Sequence, residues 1–146
     1  MKDMLNTLQM AFAALGGALG AVMGGFDGFL YALIVFVIVD YVTGVVVAID
    51  TKTLSSKIGF KGIAKKVLIF CLVALAHIID SKIIQTGSVV RTAVIFFYIS
   101  NEGISILENS SILGLPIPKK LRDVLEQINE TTEEDNDEDS RIDSDQ

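Results

Sequence analysis

Cysteine, histidine and proline are almost missing from this 146-residue sequence. The one cysteine, Cys71, lies inside an apolar run, so no intrachain disulfide can form. The one histidine, His77, has no Cys or second His near it. A metal or redox motif would need partners that are absent. No nucleophile–base pair or phosphate loop is present, and no motif joins Ser105 to His77, so catalysis and a bound cofactor have no support. The two prolines, Pro116 and Pro118, stand together in LPIP and break the pattern there.

Charge is also scarce over most of the chain. Residues 1–118 hold eight Lys/Arg against seven Asp/Glu, a net of +1. Residues 119–146 hold four against eleven, a net of −7, so the overall −6 belongs to the tail. The chain is 51% hydrophobic with a mean hydropathy of +0.53. That is too apolar for an ordinary soluble enzyme, and a pI near 4.6 is too acidic for a nucleic-acid binder. The composition points to a small polytopic membrane protein with an all-α fold.

What is there begins with long uncharged runs. Residues 4–26 carry no charge and are long enough to span. Five glycines weaken the apolar centre of this stretch, and a second apolar run follows at once. It therefore reads as a helix over about 5–26 rather than a cleavable signal. Gly16, Gly20 and Gly24 are four apart, and so are Ala13, Gly17, Ala21 and Gly25 on the adjacent ridge. On a helix these ridges make a broad face with few side chains. Such a face suits close packing, within the chain or between copies.

Gly24–Gly28 is a turn by composition. Residues 28–49 carry one charge and cover about 33 Å as a helix, the clearest span. Asp40 lies near its middle, and Asp40, Gly44 and Ala48 are four apart with Thr43 adjacent. Residues 50–66 hold Lys52, Lys57, Lys61, Lys65 and Lys66 against Asp50. A lysine-rich loop between spans marks the cytoplasmic side, and its ridge can also meet anionic headgroups. A third helix is expected over 58–80, with Lys65 and Lys66 snorkelling to the headgroups. Residues 81–88 then turn, and a fourth helix covers 89–109. Residues 119–129 form a short amphipathic helix with Leu121, Val124, Leu125 and Ile128 on one face. Residues 130–146 are polar and acidic and are expected to be disordered.

Residues 1–118 thus form the membrane unit, with three spans or four. The lysine loop sets residues 81–88 outside and the tail inside. The side of the N-terminus depends on whether the first helix spans.

Ionisable groups inside such segments need partners or water. Asp40, Arg91 and Glu102 are the ones to explain. Tyr98, Asn101, Glu102, Ser105, Glu108 and Asn109 recur at spacings of three and four. They draw a polar stripe that faces either another helix or water. It is a pore-lining or oligomer-contact face, or else an intramolecular hydrogen-bonding face. If Asp40 and Glu102 are both dry, at least one should carry a proton.

Several stretches carry a resemblance. DYVTGVVVAI at 40–49, LSSKIGFKGIAKKVLIF at 54–70, RTAVIFFYISNEGISILEN at 91–109 and LGLPIPKKLRDVLEQI at 113–128 together resemble the toxin secretion/phage lysis holin family. The likeness covers about residues 5–128, and the tail after Asn129 lies outside the pattern. It implies a multi-pass protein of the bacterial cytoplasmic membrane that accumulates there and then forms homo-oligomeric, non-specific lesions. These collapse the membrane potential and let an endolysin, or a secreted toxin, pass. The lipid bilayer and further copies are its implied direct partners, with no nucleic acid. An antiholin-type regulator and a fixed-pore channel or transporter subunit stay open as alternatives.

Overall fold

The computed structural model describes residues 1–128. The expected disordered acidic tail, 130–146, and Asn129 at the end of the expected amphipathic helix lie outside the described residues. Those described form an all-helical bundle. Four long helices are α1 (Lys2–Val22), α2 (Gly28–Asp50), α3 (Ser56–Ile78) and α4 (Val89–Ile112). A short α5 covers 119–128. α3 runs on into a π-helical segment, Ile79–Ile84. Four helical segments are long and apolar enough to cross a membrane: α1, α2, α3 with its π-helical extension, and α4. Exposed Phe12, Tyr31 and Phe60 show how much apolar surface points outward.

Helix ends follow the local chemistry. Asp27 caps α2, its Oδ1 accepting from the Leu30 amide at 2.8 Å. Ser55 caps α3 through the Ile58 amide at 3.2 Å. α1 closes in a Schellman motif. The Gly25 amide donates to the Gly20 carbonyl at 2.7 Å and the Gly24 amide to the Ala21 carbonyl at 3.2 Å. Gly24 takes φ +88°, open to glycine without strain. The chain leaves α4 the same way through Gly114, just before Pro116.

These caps shift the expected boundaries. The first helix ends at Val22 rather than 26, so Gly24 and Gly25 belong to the turn and not to the helical ridges. The third helix begins at Ser56, which leaves only residues 51–55 between α2 and α3. The earlier start brings Lys57 onto the same helix as Lys61, Lys65 and Lys66. The fourth helix continues to Ile112.

α2 and α4 share the largest interface, α3 packs on both, and α1 packs against α3. The centre is filled by Leu30, Leu33 and Val37 of α2, Ile69 and Val73 of α3, and Ile95 of α4. Phe29 and Phe96 join α2 to α4 at 5.1 Å between ring centres. Tyr41 uses the space left by Gly62, where a Cβ would lie 3.5 Å from its ring. Lipid tails are as apolar as these side chains, so burial alone gives little drive to associate. Close packing and polar contacts hold such a bundle.

Candidate functional site

The polar residues of α2, α3 and α4 meet at one level of the bundle. Asp40 of α2 and Glu102 of α4 are both buried, and Lys66 of α3 is half-buried between them. The Lys66 ammonium donates to Asp40 Oδ2 and to Glu102 Oε2. Asn109 donates to Asp40 Oδ1 at 3.3 Å and to Thr43 Oγ1 at 3.0 Å. Thr43 in turn donates to the Asp40 carbonyl at 3.0 Å. Gly44 lies beside this network, where an added Cβ would be in ordinary contact with the Asn109 amide nitrogen at 3.7 Å.

Lys66 changes one expectation. It is half-buried and not part of the exposed basic face. It turns inward, because two carboxylates at its level offer better partners than an apolar surround. Lys66 thus supplies one cation to the two carboxylates. Lys52, Lys57, Lys61 and Lys65 are exposed, as a basic face requires.

Beside this network lies an open groove of about 710 Å³ between α2, α3 and α4. Tyr98, Asn101, Ser105 and Glu108 line it together with Asp40, Gly44, Lys65, Lys66 and Glu102. The stripe on α4 thus divides. Glu102 and Asn109 bind across to other helices, while Tyr98, Asn101, Ser105 and Glu108 face the groove. Tyr98 also packs on the core and meets Phe97 edge-on at 5.1 Å.

A second polar cluster lies at the opposite end of the bundle. Arg91 is buried, and its guanidinium holds the α1–α2 turn. It donates to the Met23 carbonyl at 2.5 Å, to Asp27 Oδ2 at 2.6 Å and to the Gly25 carbonyl at 3.1 Å. The Arg91 guanidinium beside Asp27 holds that carboxyl below the usual carboxylate range. Buried Asp80 accepts from the Val90 amide at 3.1 Å and the Arg91 amide at 2.7 Å. It caps α4 from the π-helical segment, where Ser88 at the N-cap makes no side-chain bond. Sequence reasoning singled out Arg91 but not its partners. Asp27 and Asp80 are 64 and 11 residues away from it. Each lies on a different element from Arg91, so no local pattern joins them.

The glycine faces are placed unevenly. Gly20 is covered by the Phe26 ring, and Gly24 sits against His77 and Arg91. Nothing lies within 4 Å of a Cβ built at Gly16, Gly17 or Gly25. Cys71 is exposed and free. Among the described residues no group of three or more His, Cys, Asp or Glu is arranged to hold a metal.

Residues 17–130 match the bacteriophage holin family. An uncharacterized 14.9 kDa protein in the nagH 3′ region of Clostridium perfringens is 41% identical over 130 residues, covering 88% of this chain and 98% of the relative. An uncharacterized protein of Listeria innocua is 42% identical over 118 residues, with 81% and 84% covered. A probable holin of Bacillus phage phi105 is 38% identical over 109 residues, with 75% and 77% covered. No solved structure matches.

Proposed function

The chain belongs to the bacteriophage holin family, whose members are non-enzymatic membrane proteins, and we propose that it acts as a holin of the bacterial cytoplasmic membrane. In this reading it accumulates as a closed multi-pass bundle and then assembles into non-specific lesions. The lesions collapse the membrane potential and release an endolysin or a toxin. A phage relative that covers three-quarters of the chain and bears the name probable holin supports this.

The observation that carries the lesion mechanism is the filled centre of the bundle. Leu30, Leu33, Val73 and Ile95 are each 0% exposed. Their positions on three different helices leave no aqueous path between α2, α3 and α4 of a single chain at that level. A lesion must then be lined by surfaces from several copies. The groove beside Glu102 supplies a polar surface that can turn from a bundle contact into part of a wet wall. The exposed lysines, Lys52, Lys57, Lys61 and Lys65, favour the α2–α3 connection on the cytoplasmic side. With four spans, both ends of the chain are then cytoplasmic.

Controlled expression in bacteria tests this, with potential and turbidity followed with and without an endolysin. A sudden, non-selective loss of potential is expected in both cultures, and a fall in turbidity only with endolysin. Graded, ion-selective conductance would instead identify a fixed channel. No collapse alone, with delay of a second holin's lysis, would identify an antiholin-type regulator.

A further inference from the structure

The groove beside Glu102 holds two charges that do not meet. Lys66 is taken up by Asp40 and Glu102. The other charged side chains lining the groove are Lys65 on the α3 wall and Glu108 on the α4 wall. Both are exposed, and among the described residues neither is ion-paired. Asn101 and Ser105 lie on the same wall as Glu108, and among the described residues their side chains make no hydrogen bond. Ser100 and Ser110 of the same helix instead donate back to the Phe97 and Ile106 carbonyls. The groove thus offers one cation, one anion and two uncommitted polar groups.

An apolar cleft continues from it. This cleft, of about 260 Å³ between α3 and α4, shares Leu72 and Tyr98 with the groove. Its walls are Leu75, Ala76, Val90, Ala93, Val94 and Phe97, with Ile79 at one end. From Tyr98 to Val90 it follows α4 for about 12 Å. Half of a bilayer's hydrocarbon core is about 15 Å. Exposed Lys57, Lys61 and Lys65 put the charged part at the headgroup level, just before the apolar run that starts at Val67. A polar chamber at that level, with an apolar cleft leading from it into the hydrocarbon, has the form of one lipid molecule.

We propose that the groove and cleft bind a phospholipid whose headgroup carries a phosphate and a primary ammonium, of the phosphatidylethanolamine class. The phosphate accepts from the Lys65 ammonium, and the lipid ammonium donates to the Glu108 carboxylate. Asn101 and Ser105 serve either group, since each can donate and accept. One acyl chain passes Leu72 and follows the cleft along Phe97 and Val94. Charge selects the class. An anionic headgroup without an ammonium would satisfy Lys65 but leave Glu108 beside a second negative charge. A trimethylammonium headgroup has both charges but no N–H to donate to Glu108. The assignment concerns the single chain and stands whether or not copies form lesions.

The test titrates the full chain, stripped of lipid in detergent, with phosphatidylethanolamine, phosphatidylcholine and phosphatidylglycerol carrying identical acyl chains. Native mass spectrometry counts the bound lipids and ranks their affinities. One tightly held lipid per chain is expected, with phosphatidylethanolamine preferred. Lys65→Gln and Glu108→Gln should each weaken its binding by up to about fivefold, the scale of an exposed ion pair. Glu108→Gln should also raise phosphatidylglycerol relative to phosphatidylethanolamine, whereas Lys65→Gln should lower both. Ala93→Phe narrows the cleft and should weaken all three lipids alike, with Ala93→Leu as the smaller change if that variant does not accumulate. Lys57→Gln, outside the groove, should leave the preference as in the parent. Equal binding of the three lipids would mean an annular layer only, and the proposal falls. It falls too if phosphatidylglycerol binds best to the parent, as a plain basic surface predicts. Lys65→Gln and Glu108→Gln variants that keep the parent's order and affinities would likewise place headgroup recognition elsewhere and overturn it.

Discussion

At Lys66 one ammonium faces two carboxylates, so its removal and theirs have different consequences. Lys66→Met leaves Asp40 and Glu102 buried without their cation. Breaking a buried pair in this way costs about 3–5 kcal/mol. Unfolding of the purified protein in detergent should show a loss of that order, and Lys66→Arg should recover part of it. Glu102→Gln keeps the side chain's shape, removes its ability to ionise and leaves the Lys66–Asp40 pair in place. It should change membrane insertion little and lysis timing more. Unchanged timing at matched protein levels would remove the polar stripe from the assembly mechanism. At the other end of the bundle, Asp27 is held below its ordinary range by Arg91. Its contribution to stability is then present above the unfolded carboxyl value of about 3.9 and is lost as pH falls through the lower folded value. The stability difference between parent and Asp27→Asn should be largest near neutral pH and shrink towards pH 3. A difference constant across that range would show that the Arg91 contact does not depend on the carboxylate charge.

At the scale of helices, the glycines separate packing within the chain from packing between chains. Gly24 has positive φ, and a Cβ there would lie 2.7 Å from His77 Nδ1 and 2.8 Å from Arg91 Nε. Gly24→Ala should therefore destabilise the folded protein by about 1–3 kcal/mol from backbone strain, with any crowding added. Gly16 is helical with nothing within 4 Å of an added Cβ. Gly16→Ala should leave the single bundle as stable or up to about 1 kcal/mol more stable, through helix propensity. If it nonetheless delays lysis, the Gly16 face is used by another copy. Equal timing would leave α1 facing lipid there. The same contrast explains what the sequence could tell. Apolar runs separated by Gly24–Gly28, by the lysine-rich 50–66 segment, by residues 81–88 and by Pro116 located the helices, because each break has a local cause. Capping geometry moved the ends by two to four residues. The basic ridge of Lys57, Lys61 and Lys65 was legible from its period of four. Lys66 was not, since its direction depends on carboxylates 26 and 36 residues away. Asp40 and Glu102 were visible as charges out of place, but their shared cation was not.

For the whole molecule, the arrangement is a bundle that satisfies itself. Its core is filled, Asp40 and Glu102 share a lysine, and buried Arg91 is bound by the α1–α2 turn. None of these features conducts. A large exposed apolar surface keeps the same bundle in the membrane as copies accumulate. Under the proposed holin function, permeability arises from encounters between copies and should depend on their density with a threshold. A fixed pore in each bundle, or in a preformed oligomer, would add conductance in proportion to protein. Titrating expression while measuring membrane potential in single cells separates these behaviours. We expect potential to hold while protein rises over a broad range and then to fall abruptly within individual cells, at a density that Glu102→Gln and Gly16→Ala shift. A loss of potential proportional to protein from the lowest levels would place the conducting path inside a preformed unit and overturn the lesion reading.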